Sequence, residues 1–207
     1  MTGQTGRRTQ AERTSASDKA MLDAGVRLIA SQGSARTTLV QIGRESGFSG
    51  GLVSDRFGSK NGFLLAVAQH ILDQWAERMR RPATAHGDGL DYLERHTSLY
   101  LKAVLSQSDL LIAQYRLMNE SYSGQEELRP FFQKFDKQVR NAVVEGLTEG
   151  VEAGDVDASI DLDAFSAIFV GMLRGLAVQH FINRRAFDST ATQATIAQIC
   201  QRFLSPV

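Results

Sequence analysis

The chain has 207 residues, 43% of them apolar and only three proline, which suits one compact body with a small appended module and excludes a disulfide miniprotein. Its single cysteine, Cys200, rules out an intrachain disulfide and a thiolate metal site, and points to a reducing compartment. The formal charge of zero hides a division: residues 1–81 carry 12 Lys and Arg against 7 Asp and Glu, a net +5, so the remainder carries −5, and a basic module on an acidic body indicates a local anionic partner.

Residues 1–17, rich in Thr, Gln, Gly and Arg, have nothing to bury and read as a disordered polar arm. With Arg7, Arg8 and Arg13 and no apolar run, this segment is not a secretory signal, and the expected compartment is the cytoplasm. Met21, Leu22, Val26, Leu28 and Ile29 recur at helical spacing and predict a helix over 18–32 stopped by Gly33. Thr38 precedes Gln41 by three, a capping-box spacing, and opens a short helix with Leu39 and Ile42 that closes at Gly47. Ser49 caps the next, in which Val53 and Phe57 share a face, and Gly58 ends it. Two helices of about two turns each around Gly47-Phe48-Ser49 have the size of a helix-turn-helix. Ser59 then caps a helix over 60–81 through Phe63, Leu64, Val67, Ile71, Trp75 and Met79, and Pro82 with the Gly-containing run after it marks an interdomain break.

Further helices are predicted over 90–106, 109–122 and from near Pro130 to about 154, with Pro130 in the first turn because deeper placement costs about 3 kcal/mol. Residues 161–183 are apolar on more than one face, so that helix needs cover on several sides. Its longest apolar run, from Ala164 to Leu173, ends at Arg174 and is about half of what a bilayer needs, so no membrane partner is expected. A last helix over 190–204 carries Ile196, Ile199 and Phe203. No strand-period run or internal repeat interrupts this pattern, and the predicted fold is all-α with about nine helices. The expected organisation is an arm over 1–17, a helix-turn-helix domain over 18–81 that includes the connecting helix, and a helical body over 82–207.

The run Thr37-Thr38-Leu39-Val40-Gln41-Ile42-Gly43, followed by Gly47-Phe48-Ser49-Gly50-Gly51-Leu52-Val53-Ser54-Asp55-Arg56-Phe57-Gly58-Ser59-Lys60, resembles the DNA-binding signature of TetR-family transcriptional regulators. The shared parts are a Thr/Ser-capped helix, a Gly-apolar-Ser turn, a recognition helix ending in Phe and a Gly/Pro-Ser-Lys start to the fourth helix. Beyond this signature the resemblance is one of layout. It implies an N-terminal DNA-binding domain joined to a larger domain for effector binding and dimerisation. The function it implies is a sequence-specific regulator, a repressor released from a pseudo-palindromic operator by a small molecule. Departures are local: Ser54, Asp55 and Arg56 stand where many members carry two tyrosines flanking a histidine, Gly50 replaces a common lysine, and Val40 occupies a place that is often basic. These changes leave the packing face intact but forbid borrowing a relative's operator.

Ser49, Gly50, Gly51, Ser54, Asp55 and Arg56 supply a small and polar outer face for a recognition helix. Arg56 has the donors for guanine O6/N7 or a phosphate, and Asp55 can accept from a cytosine amino group; the bland alternative for Arg56 is a surface ion pair with Asp55 or Asp18. Lys60, at a helix N-terminus, suits a backbone phosphate. Thr37, Thr38 and Ser49 are further phosphate candidates, although capping alone accounts for Thr38 and Ser49. The effector pocket that the resemblance implies draws on His96, Tyr100, Tyr115, Met118, Tyr122, Phe135, Val139, Phe165, Phe169 and Met172, residue types that are plain core in most helical proteins. Their scarcity of charge predicts a mostly apolar ligand. The helix apolar on several faces predicts a homodimer through Phe169, Leu173, Leu176, Ile196, Ile199 and Phe203. No cofactor or metal is expected, since His70, His86, His96 and His180 lack ligand spacing. Gly47-Phe48-Ser49-Gly50-Gly51 spells a nucleophile elbow, but the residues before it are polar and helical where that chemistry needs an apolar strand, so no enzyme is expected. The competing reading is a helical interaction module whose basic end docks an acidic protein without specific DNA binding.

Overall fold

Local capping chemistry decides where the helices begin. The structure, a computed structural model, describes residues 9–79 and 89–206. Among these residues the chain forms α1 (Gln10–Gln32), α2 (Leu39–Ser46), α3 (Gly50–Phe57), α4 (Lys60–Met79), α5 (Gly89–Leu105), α6 (Asp109–Ser123), α7 (Arg129–Ala153), α8 (Leu162–Ile182) and α9 (Ser189–Leu204), with a 3-10 turn at Glu126–Leu128 and no strand. The all-α fold is therefore the one expected, and Pro130 sits at the second residue of α7.

α1 starts eight residues before the position predicted from apolar spacing. Thr9 and Glu12 close a reciprocal capping box, with Glu12 N–H donating to Thr9 Oγ1 at 3.2 Å and Thr9 N–H to Glu12 Oε2 at 2.7 Å. Extending a helix that is already nucleated by packing costs little, so a solvated first two turns need no apolar face. The polar-arm reading is thus corrected for residues 10–17; Arg7, Arg8 and the Pro82 break lie outside the described residues.

Packing divides the chain into two units, residues 1–74 with 109–131 and residues 75–108 with 132–207. By packing, α6 groups with the N-terminal unit. It does so because Leu110, Leu111, Ala113 and Leu117 give α6 a buried face, which is laid on α1. Polar chemistry adds to this contact, since Ser34 N–H donates to Glu120 Oε1 at 3.2 Å. The rest of that unit's core includes Met21, Ile29, Ile42, Val53, Phe63, Leu64, Val67 and Ile71.

The second unit is built on Leu93, Val143, Leu147, Phe165, Phe169, Val170, Leu173, Ile196, Cys200 and Leu204. Burial pushes the Cys200 thiol up to about 11, which keeps it protonated and unreactive. α8 supplies much of this core, yet only 39% of its most apolar 18-residue window is buried. That window has a mean hydropathy of 1.4, and by length and composition alone the helix could cross a membrane, a property it shares with core helices of soluble proteins. Within it Arg174 is bonded to Asp136 of α7, and Ile168 and Ile182 are 69% and 81% exposed.

Candidate nucleic-acid interface

The helix-turn-helix is fixed by three local devices. Thr38 caps α2, accepting from Gln41 N–H at 3.2 Å while Gln41 Oε1 accepts from Thr38 N–H at 3.0 Å. Gly47 adopts the left-handed conformation (φ 81°, ψ 20°) that ends α2, and Phe48 N–H returns to the Gly43 carbonyl at 2.7 Å. Ser49 then caps α3 by accepting from Leu52 N–H at 3.1 Å. The two helices cross closely because Gly43 and Gly50 carry no side chain there: a Cβ on Gly43 would lie 2.6 Å from Gly50 N, and one on Gly50 2.9 Å from Val40 Cα and 3.0 Å from Val40 Cγ2.

At 100° per residue, burying Val53 and half-burying Phe57 turns Gly51 and Asp55 outermost on α3. Ser54 flanks them on one side and Leu52 on the other, with Arg56 beyond Leu52 toward α1. Gly50 faces α2 and serves the crossing, which corrects its assignment to the outer face. Thr37 is also corrected: it is 1% exposed and its hydroxyl donates to the Gly33 carbonyl at 2.8 Å, so it holds the turn before α2 and has no free reach. Thr38, Ser49, Gly51, Asp55 and Lys60 are reachable at the surface, but Thr38 and Ser49 spend their oxygens as caps. Lys60 Nζ donates to the Ala35 carbonyl at 3.1 Å, across the turn that leads into α2. Arg56 does not pair with its neighbour Asp55; its Nε lies 3.2 Å from Oδ1 of Asp18 on α1.

Sequence reasoning passed over Arg44. It is exposed one turn after Val40, itself 71% exposed, so the two share the open face of α2. The signal was available: the four-residue spacing puts a cation beside the place where TetR-family members often carry one.

The ten pocket candidates divide between the units. Tyr115, Met118 and Tyr122 ride on α6 in the first, and Tyr122 is exposed with its hydroxyl bonded to Asn119. In the second, Tyr100, Val139, Phe165, Phe169 and Met172 gather in the core, and the His96 ring lies 5.9 Å from Tyr92 and 6.0 Å from Phe169. Phe135 is buried on α7 beside Phe132. Burial, helped by the Arg95 charge, lowers His96 to about 4, so its imidazole is neutral, and its Nδ1 is buried without a hydrogen-bond partner. Two grooves of about 190 and 440 Å³ open in this unit between α5 and α9, and none of the ten candidates lines either.

The dimer candidates also need correction. Phe169, Leu173 and Ile196 are buried within their own unit and Leu176 packs against the same cluster. Only Ile199 and Phe203 are exposed. A helix apolar all round does not announce which face its own core takes.

A tight, capped pair of two-turn helices with a solvent-facing second member defines a helix-turn-helix DNA-binding protein. Residues 21–67 match the family model of bacterial regulatory proteins, tetR family. The chain is 20% identical over 179 residues to the fatty acid metabolism regulator protein of Bacillus subtilis, covering 86% of this chain and 91% of that protein. It is 41% identical over 66 residues to the HTH-type transcriptional regulator BetI of Burkholderia mallei, a match spanning 31% of this chain and about a third (34%) of that relative. Its fold is similar to a TetR transcriptional regulator from Chloroflexus aurantiacus J-10-FL, with a TM-score of 0.82 and 15% identity over 94% of this chain and 99% of the other. Residues 21–67 thus carry the DNA-binding segment of the TetR family, and the chain as a whole is similar in fold and layout to transcriptional regulators of that family. Such proteins are regulators and not enzymes, and Ser49 in the elbow-like spelling is a helix cap.

Proposed function

We propose that this regulator is a homodimeric cytoplasmic repressor that places α3 in the major groove of a pseudo-palindromic operator and leaves it when a mostly apolar small molecule binds. In this reading residues 18–81 serve the DNA, whatever their packing partners, and residues 82–207 serve the effector and the pairing. The observation that carries it is the outward stripe of Gly51 and Asp55 on a short helix anchored by Ser49 and Gly58, which allows close approach to base edges. Lys60 and Arg44 supply phosphate grips on either side in sequence. Selection from a random duplex pool tests it directly: a symmetric site with half-sites about 34–36 Å apart, or a little more, supports the reading, and salt-sensitive binding to any polyanion favours the interaction module instead.

Pairing is supported by the open face of α8. Ile168, Val178 and Ile182 are exposed there, and a Cβ on Gly171 or Gly175 would meet nothing within 4 Å, so a second copy's helix can approach closely; Ile199 and Phe203 of α9 are exposed as well. The effector reading is supported by the aromatic interior around His96, Tyr100, Phe169 and Met172, where a buried neutral imidazole keeps one nitrogen unpaired. Such an interior suits a hydrocarbon body with one hydrogen-bonding group. The similarity to a regulator of fatty acid metabolism makes acyl compounds the first to try.

A further inference from the structure

The geometry points to Asp18 as a determinant of operator specificity: it buttresses Arg56 so that the guanidinium meets the groove by its terminal Nη edge and selects a guanine in each half-site. The inference rests on the DNA-binding reading and deepens it. Asp18 lies on α1 and Arg56 in the last turn of α3, and the pair spans 3.2 Å from Oδ1 to Nε. Their side chains are 31% and 34% exposed, so solvent screens them less than a rim pair. Asp18 Oδ1 has no accessible surface and receives no well-aligned hydrogen bond, which leaves the Arg56 charge as its compensation.

With Nε 3.2 Å from Asp18 Oδ1, the ion pair turns the Nε side of the guanidinium toward α1. The four donors on the two Nη atoms stay available, and reading guanine O6 and N7 end-on requires one from each. An arginine with no such brace swings between phosphate and base, and a phosphate contact carries no sequence information. The Asp18 carboxylate beside this guanidinium also weakens its general attraction to phosphates. The balance moves from backbone grip toward base reading.

The test uses the full-length protein with its selected operator, the same duplex altered at each base pair in turn, and an unrelated duplex, over a range of salt. For Asp18→Asn, the penalty at one guanine position per half-site is expected to fall about tenfold while the unrelated duplex binds more tightly; Asp18→Glu is expected to restore part of the preference. Arg56→Ala should lose the same position, and adding Asp18→Asn to it should change that position no further. Circular dichroism melting of each variant separates these effects from unfolding, and Asp18→Ser replaces the Asn variant if that one melts early. Equal factors for operator and unrelated duplex, or an unshifted position profile, overturn the buttress. A parent protein that selects no duplex refutes the DNA reading itself.

Discussion

At single residues the folded chain has set two groups to different tasks. His96 is held near pKa 4 by burial and by Arg95, against an ordinary value of 6.5. Between those values the unfolded chain binds the proton and the folded one does not, so stability falls as the pH drops through the window and is recovered above it. The full difference is on the order of 3 kcal/mol. The urea midpoint of the parent is therefore expected to decline between pH 6.5 and 4 more steeply than that of His96→Phe, and parallel curves would show that the imidazole is not kept neutral. Lys60 has the opposite character, a surface cation with one of its three donors on the Ala35 carbonyl and two left for phosphate. Lys60→Ala should weaken binding to every duplex alike and flatten the logarithmic salt slope by about one unit. A loss confined to the operator would make Lys60 a reader of bases.

At the scale of elements, what was legible was what is local. Thr38, Gly47, Ser49 and Gly58 showed themselves because caps and stops depend on residues within one turn, and helix ends accordingly fell close to where their spacing put them. Gly50, Thr37 and the faces of α8 were misread because their roles depend on what lies across from them, which spacing along one helix does not encode. The packing of α6 with the N-terminal unit was hidden for the same reason. The α2–α3 crossing makes this testable: a Cβ on Gly43 meets backbone on the facing segment, which cannot rotate away, so Gly43→Ala is expected to destabilise the N-terminal unit by roughly 1–3 kcal/mol and to abolish operator binding. Gly51→Ala, whose Cβ would meet only Ser49 Oγ at 3.8 Å, should leave stability within about 0.5 kcal/mol of the parent. On α8, Ile168→Glu is expected to give a folded monomer by light scattering and Leu173→Glu an unfolded chain, since the first residue faces outward and the second lies in the core. A dimer that survives Ile168→Glu would move the interface elsewhere.

For the whole molecule, regulation requires that one ligand's binding be felt by another, and thermodynamics makes that reciprocal. An apolar compound entering the aromatic interior around His96 must displace side chains that already fill it, because Phe169 is 1% exposed and stacks on Phe165 with ring centroids 6.1 Å apart. The packed arrangement and the ligand-filled one are then two distinct states. A compound bound equally well by free and operator-bound protein shifts nothing, however tight it is. If an acyl compound weakens operator binding ~100-fold, it must itself bind ~100-fold more weakly to the operator complex, a coupling of about 2.7 kcal/mol. Thermal-shift screening of acyl chains of graded length, followed by titration of each hit with and without operator, measures both arms of the cycle. The expected result is equal coupling from either direction and its loss in Phe169→Trp, which overfills the cluster while leaving the residues of α2 and α3 unchanged. Hits whose affinity ignores the operator would refute the switch, and a ligand that tightens operator binding would make the protein a co-repressor-dependent regulator instead of one released by its effector.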